Sequence, residues 1–202
     1  MPADRDDFAH LDLGLRQVSG ATISQCGLYR YSLWREWSVE GPVMGWVMLN
    51  PSTADAHTDD PTIRRCIGFA KREGCGGIIV RNLFAYRTPS PKALGEAYRA
   101  GVDVVGPEND EWLRAFVDPP FVGPVVAAWG AGAGVPLRVF ERRVSEVVQV
   151  LGGVLSVLDG PTRTASPHPL YLAKDTPLVA MQSGSSRQAA SGRIVEAPHA
   201  DV

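Results

Sequence analysis

The chain has 202 residues, of which 45% are hydrophobic, and its 20 basic residues face 22 acidic ones. This size suits one well-buried domain and is short for two. The balanced overall charge does not by itself indicate a nucleic-acid-binding protein. Three cysteines without CxxC spacing indicate neither a disulfide framework nor a zinc knuckle. Neither a signal peptide nor an apolar run of roughly 20 residues stands out, so we expect a cytoplasmic protein with no membrane partner.

The N-terminal part contains two predicted strand regions. Residues 1–19 are predicted to be an extension that precedes a single domain over residues 20–181. The stretch "GLYRYSLWREWS", within residues 20–40, alternates apolar and polar side chains, which predicts an antiparallel hairpin or an edge strand. The continuous apolar run "PVMGWVML", residues 42–49, is typical of a strand buried on both faces. That run ends at Asn50.

A helix is predicted next, because Asp60 is a capping carboxylate and Pro61 suits the first helical position. Apolar residues on one face extend the helix to about Arg72. The glycine-rich residues 74–77 end it and lead into a second apolar strand, "GIIVRNL". A strand, helix, strand unit of this kind makes the sheet parallel.

The same signals continue through the rest of the domain. In chain order they predict a helix from Ser90, helices within residues 106–117 and 136–151, and third and fourth buried strands within residues 124–130 and 152–159. Residues 182–202 contain too few large apolar groups to offset their ordering entropy and are predicted to be a disordered tail. The fold class is therefore α/β, with a short, mainly parallel sheet of four strands.

Candidate site residues follow the predicted strands, because ligands of parallel sheets bind outside the carboxyl ends of the strands. In strand order they are Asn50, Ser52, Thr53 and Asp55; Asn82, Phe84 and Arg87; Trp129; and Arg163 and His168. Amides can orient water or bind a base edge, aromatic rings can stack, and arginines can bind phosphate. This set favours a nucleotide or a nucleic-acid base as the ligand.

Several of these residues also have a purely structural interpretation. Asn50 before Pro51 can end a strand through an Asx-turn, and Asp60 can serve only as a helix cap. His168 lies between two prolines and can be a packed structural histidine. Phe84 and Trp129 can close the hydrophobic core without touching a ligand.

Two further segments contain residues of the kinds that bind metals or phosphates. The alternation of Asp55, His57 and Asp59 could ligate a metal, although loop aspartates commonly form turns, so no metal and no cofactor is assigned. The glycine-rich stretch "GAGAG", residues 130–134, lacks a following Lys-Ser/Thr and does not have GxGxxG spacing. Nucleoside triphosphate hydrolysis and nicotinamide binding are therefore weakly supported.

The charge is concentrated in one part of the chain. Residues 60–99 contain eight basic and three acidic residues, a net charge of +5. Such a segment favours an anionic ligand, and Arg64, Arg65 and Arg163 are the candidate phosphate contacts. A solvated helix face is the alternative interpretation.

The motif string "GWVMLNPSTADAHTDDPTIRRCIGFAKREGCGGIIVRNLFAYRTPSPKAL", then "GPEND", "VVAAWGAGA" and "HPLYL", resembles the bacterial and phage family catalogued as domain of unknown function 1643. The resemblance covers about residues 28–180. It implies no activity. The sequence also leaves open the roles of Glu108, Asn109 and Asp110, where the acidic helix start can act as a cap.

"LNPS" after the first strand and "HPLY" after the fourth are also similar to motifs of the uracil-DNA glycosylase-like superfamily. This resemblance implies a three-layer α/β/α sandwich. It implies that Asn50 positions water or the scissile bond, that His168 stabilises charge on a pyrimidine oxygen, and that Phe84 or Asn82 stacks on or recognises the base. "HPLY" lacks the Ser-Pro and basic residue of that motif, which weakens duplex opening. Some members are associated instead with phage thymine hypermodification.

Our main hypothesis is an enzyme that acts on a pyrimidine base, in DNA or as a nucleotide. Asn50 or Asp55 would orient water or stabilise an oxocarbenium sugar, and His168 would stabilise the leaving base. In a group transfer, arginines would hold a leaving pyrophosphate. The alternatives are a non-catalytic nucleic-acid or nucleotide binding module, which uses Phe84, Trp129 and the basic segment, and a metal-dependent hydrolase. Protein partners are left open.

Overall fold

The structure is a computed structural model that describes residues 18–52, 59–118, 121, 123–132, 134–160 and 166–181. Within these residues, seven strands form one sheet. From one edge to the other the strands are β1 Val18–Ile23, β2 Arg30–Glu36, β4 Gly77–Asn82, β3 Val43–Met48, β5 Val125–Ala127, β6 Leu155–Leu158 and β7 Leu178–Ala180.

The centre of the sheet is the parallel set that the sequence predicts. Strands β4, β3, β5 and β6 pair in parallel, and the predicted hairpin is present as β1 and β2, which pair antiparallel to each other. The predicted sheet has too few strands, because β2 also pairs with β4 and β7 pairs with β6, both antiparallel. The predicted tail lies outside the described residues, whereas Val18 and Ser19, predicted to be extension, belong to β1.

Four α-helices connect and cover these strands: α1 Pro61–Arg72, α2 Pro91–Arg99, α3 Asn109–Arg114 and α4 Leu137–Leu151. The predicted caps are confirmed, since the Asp60 carboxylate accepts from the backbone N–H of Ile63 at 2.8 Å and the Ser90 hydroxyl accepts from that of Ala93 at 3.2 Å. Helix α3 has six residues and is shorter than predicted, because turns occupy both ends of residues 106–117. No helix in the described ranges is long and apolar enough to cross a bilayer.

Both faces of the sheet are buried under helices, as alternation along β3 illustrates. Met44, Trp46 and Met48 pack in a cluster with apolar residues of α1. Val47 packs in a second cluster with apolar residues of α2, α3 and α4. A continuous apolar strand therefore fits because each face meets its own hydrophobic layer. The carboxyl ends of the parallel strands and the N-terminal ends of α1 and α2 meet at one edge.

Candidate functional site

A pocket of about 530 Å³ lies at this edge, a volume typical of small-molecule sites. Its wall includes residues of β3, β4 and β2, of the first turns of α1 and α2, and of the loops after β3 and β5 and before the last strand. Its polar and aromatic lining residues are Arg30, Asn50, Ser52, Asp60, Thr62, Asn82, Thr88, Ser90, Trp129, His168 and Tyr171.

Five of the predicted site residues meet in this pocket, namely Asn50, Ser52, Asn82, Trp129 and His168. They come from segments far apart in sequence. The carboxyl-end rule for parallel sheets therefore identified residues that lie together in space.

Other predicted site residues lie elsewhere. Phe84 is fully buried in the core under α2, α3 and α4, because the chain bends after Asn82 and turns this ring away from the pocket. Arg87 donates to the carbonyl of Gly27 at 3.0 Å and does not line the pocket. Thr53, Asp55 and Arg163 lie outside the described residues.

Several arginines of the basic segment, residues 60–99, bind other parts of the protein itself. Arg64 donates to the carbonyl of Asp59, and neither Arg64 nor Arg65 lines the pocket. Arg81 is 2% exposed and lies over the Phe116 ring, 4.2 Å from its centroid. These residues therefore do not form one continuous basic face.

The described part of the chain contains no cluster of three or more potential metal ligands. Asp59, one of the residues considered for a metal, forms a 2.7 Å ion pair with the buried Arg35. Asp55 and His57 fall in the undescribed stretch between Ser52 and Asp59.

Asn50 is fixed by a short chain of hydrogen bonds. Its Nδ2 donates to Thr88 Oγ1 at 2.9 Å and to the carbonyl of Pro51 at 3.1 Å. The Thr88 hydroxyl in turn donates to the carbonyl of Ser90 at 3.0 Å. Because both amide hydrogens are used, the Oδ1 atom is what Asn50 can offer as a hydrogen-bond acceptor. Thr88 was not predicted from the sequence.

The end of β4, which carries Asn82, is held by α3 and α4. Asn109 Nδ2 donates to the carbonyls of Asn82 and Leu83, each at 3.1 Å, and Arg143 Nε donates to the Leu83 carbonyl at 2.7 Å. Asp110 pairs with Arg143 at 2.6 Å. Two residues of "GPEND", for which the sequence suggested no more than capping, therefore support the pocket from behind.

Two residues of the pocket wall carry a buried N–H donor that has no hydrogen-bond partner among the described residues. These are Nδ2 of Asn82, a residue that is 2% exposed, and Nε1 of Trp129, a residue that is 1% exposed. A buried N–H without a partner costs about 1–3 kcal/mol, so such groups are expected to meet an acceptor.

His168 is a neutral donor in this arrangement. Its Nδ1 accepts from the backbone N–H of Leu170 at 3.4 Å, which leaves the proton on Nε2. Burial lowers the pKa of His168 below its ordinary value, although the negative charge of Asp60 acts in the opposite direction. The imidazole can therefore donate a hydrogen bond at neutral pH without carrying a charge.

Acidification should destabilise the protein through His168. Its folded-state pKa lies below the value of about 6.5 expected in the unfolded chain, so the unfolded chain takes up the proton first. The stabilisation is complete above that unfolded pKa and is lost as the pH falls through the folded one. Urea unfolding at pH 7.5 and 5.5 should show a larger loss for the wild type than for His168→Gln, and equal losses would contradict this expectation.

Arg30 is a pocket residue that the sequence reasoning missed. Strand β2 runs antiparallel to β4, so it begins at the edge where β4 ends. A register shift pairs Thr22 with Ser32 but Ile23 with Arg30, and such a bulge changes the face to which a side chain points. Burial and then the neighbouring Arg87 and Arg35 lower the pKa of Arg30 to about 10, so it stays cationic at pH 7. The sequence signal that could have identified Arg30 is its position as the first residue of a strand that runs antiparallel to the central strands.

The glycine-rich turn packs closely on α2. A Cβ atom on Gly95 would lie 1.7 Å from the carbonyl oxygen of Gly134. Gly134 itself has φ +97°, and a Cβ there would lie 1.8 Å from the carbonyl oxygen of Pro91. Backbone contact between the turn and the helix explains these glycines without a phosphate.

No curated protein and no solved structure matches the chain. A family model described as "Protein of unknown function (DUF1643)" matches residues 30–170. The matched span begins at Arg30 and ends at Leu170, and it takes in the residues that line the pocket apart from Tyr171. This match confirms the resemblance to the family catalogued as domain of unknown function 1643, and it extends over more than half of the sequence. The chain therefore belongs to the DUF1643 family of proteins of unknown function.

Proposed function

We propose that the protein is an enzyme that acts on a pyrimidine base, in DNA or as a nucleotide. The observation that carries this proposal is a pair of buried donors without a partner, Asn82 Nδ2 and Trp129 Nε1, in two residues of the pocket wall. A pyrimidine offers carbonyl oxygens that would accept from such groups, and enzymes that handle bases commonly recognise this edge in a closely fitting pocket.

The chemistry favoured by the remaining pocket residues is cleavage of the bond between base and sugar. In that reaction the base leaves with the bonding electrons, and negative charge develops on a ring carbonyl oxygen. The Nε2–H of neutral His168 would stabilise that oxygen. Asn50 Oδ1, held by Thr88, would accept from the water that attacks the sugar carbon.

The uracil-DNA glycosylase-like fold is part of the same proposal. Helices on both faces of a sheet with a parallel centre agree with it, as does the order of Asn50 and His168 along the chain. The cation of Arg30 on the pocket wall would also suit the alternative chemistry, in which a phosphate-bearing group leaves an activated pyrimidine. A non-catalytic binding module would use the same pocket without turnover.

Calorimetric titration with thymidine 5′-monophosphate, deoxyuridine 5′-monophosphate and a single-stranded oligothymidylate tests the proposal. The full-length wild type should bind at least one of these probes saturably, and deoxyadenosine 5′-monophosphate more weakly. Asn82→Asp replaces the donor with a carboxylate of the same shape and should weaken binding about 10-fold or more.

The matched control is Arg64→Met, which changes an exposed residue outside the pocket and should bind like the wild type. Failure of the wild type to bind every pyrimidine probe would overturn the nucleobase assignment. Binding that Asn82→Asp leaves unchanged would place the base somewhere other than this pocket.

A further inference from the structure

His168 lies in a segment, residues 166–176, that packs against helix α1. Arg65 of this helix donates through Nε to the carbonyl of Pro169 at 3.4 Å and through Nη2 to the carbonyl of Leu172. The first carbonyl belongs to the first residue of the short 3₁₀ turn Pro169–Tyr171, which directly follows His168, and the second belongs to the residue that ends the turn. One guanidinium therefore holds both ends of the turn.

A second arginine of α1, Arg72, binds the same segment further along the chain. Arg72 Nη1 donates to the carbonyls of Lys174 and Thr176, each at 2.7 Å. The guanidinium groups of Arg65 and Arg72 both lie over the ring of Phe69, at 5.1 and 5.0 Å from its centroid. Stacking restricts both side chains to orientations in which they reach the carbonyls.

We propose that Arg65 is a positioning residue for His168. By fixing the backbone at both ends of the turn, it keeps the imidazole partly buried on the pocket wall with Nε2–H available to a ligand. Arginine suits the role, because the donors of its planar guanidinium are fixed on separate nitrogens and can reach two carbonyls, whereas the three donors of a lysine ammonium share one nitrogen. The inference does not depend on the reaction, since it concerns only the position of a side chain.

Loss of Arg65 would change the surroundings of His168 so that its pKa rises. Burial lowers the pKa of His168, and Asp60 on α1 opposes that effect. Release of the turn would expose the imidazole to water and so remove the burial that disfavours its charged form. This raises the pKa of His168 towards its ordinary value.

The test is an NMR pH titration of the histidine imidazoles in the full-length protein. The sequence has four histidines, and His168→Gln identifies the signal of His168. The variants are Arg65→Met, Arg65→Lys and the control Arg64→Met, an exposed neighbour on the same helix. Near-ultraviolet circular dichroism checks that each variant is folded.

We expect the His168 pKa to rise by about half a unit or more in Arg65→Met, to rise less in Arg65→Lys, and to stay at the wild-type value in Arg64→Met. If Arg65→Met does not fold, a rise in Arg65→Lys alone supports the proposal. A His168 titration that is the same in wild type and in every folded Arg65 variant would overturn it, even if those variants were less stable.

Discussion

Replacing His168 with alanine is expected to lower the rate of pyrimidine release or modification by about 10²- to 10⁴-fold, the usual contribution of a well-placed proton donor. Binding of the nucleotide should persist, because Asn82 and Trp129 remain on the pocket wall. Asn50→Ala should cause a loss of similar size, since it removes the acceptor that would orient water.

This expectation is checked by chromatographic detection of released base, with the probe that binds in the calorimetric titration. Thr88→Val is a graded control, because it leaves Asn50 in place but removes the hydroxyl that fixes its amide. It should reduce turnover less than Asn50→Ala does. Full turnover in both His168→Ala and Asn50→Ala would exclude the proposed roles, and binding without turnover in the wild type would favour a binding module.

Asn109→Leu should lower the free energy of unfolding by about 2–3 kcal/mol, because it removes two buried hydrogen bonds and leaves the Asn82 carbonyl without that donor. Asn109 is fully buried, so water cannot easily replace its amide. The change should also weaken pyrimidine binding, since the end of β4 would no longer hold Asn82 in place.

Urea unfolding measures the first effect and calorimetric titration the second. Glu111→Ala is the matched control on the same helix, where the side chain is exposed and a change within about 0.5 kcal/mol is expected. If Asn109→Leu destabilised the protein but bound pyrimidine probes as tightly as the wild type, the link between α3 and the pocket would be wrong.

The four central strands could be predicted because strands buried on both faces leave an uninterrupted apolar run. The strand Leu178–Ala180 could not. It has only three residues, two of them exposed, and three residues carry no detectable alternation. Its existence depends on pairing with β6, which is information that the local sequence does not contain.

The site residues divide in the same way. Asn50, Asn82 and His168 could be predicted because the carboxyl-end rule needs only the order of the strands. Phe84 was misplaced because the alternation of side chains stops where β4 ends, two residues earlier. Arg30 was missed because its position depends on a bulge.

The supporting residues could not be predicted because each acts through a partner distant in sequence. Thr88 is 38 residues from Asn50, and Asn109 is 27 residues from Asn82. The contact of Arg65 with Leu172 spans 107 residues. Hydrophobic periodicity and capping signals describe neighbours within a few turns, so they carry no trace of such pairs.

These contacts between residues distant in sequence determine when each part of the structure can form during synthesis. A ribosome delivers β3, α1 and β4 before α4, so the Leu83 carbonyl just after β4 meets Arg143 only once α4 has emerged. His168 and the backbone that Arg65 holds emerge later still. A nascent chain thus contains β3 and β4 well before it can complete its pocket. A small-molecule ligand can stabilise only a form that it binds, so it would act on the finished domain and not on the intermediates of its synthesis.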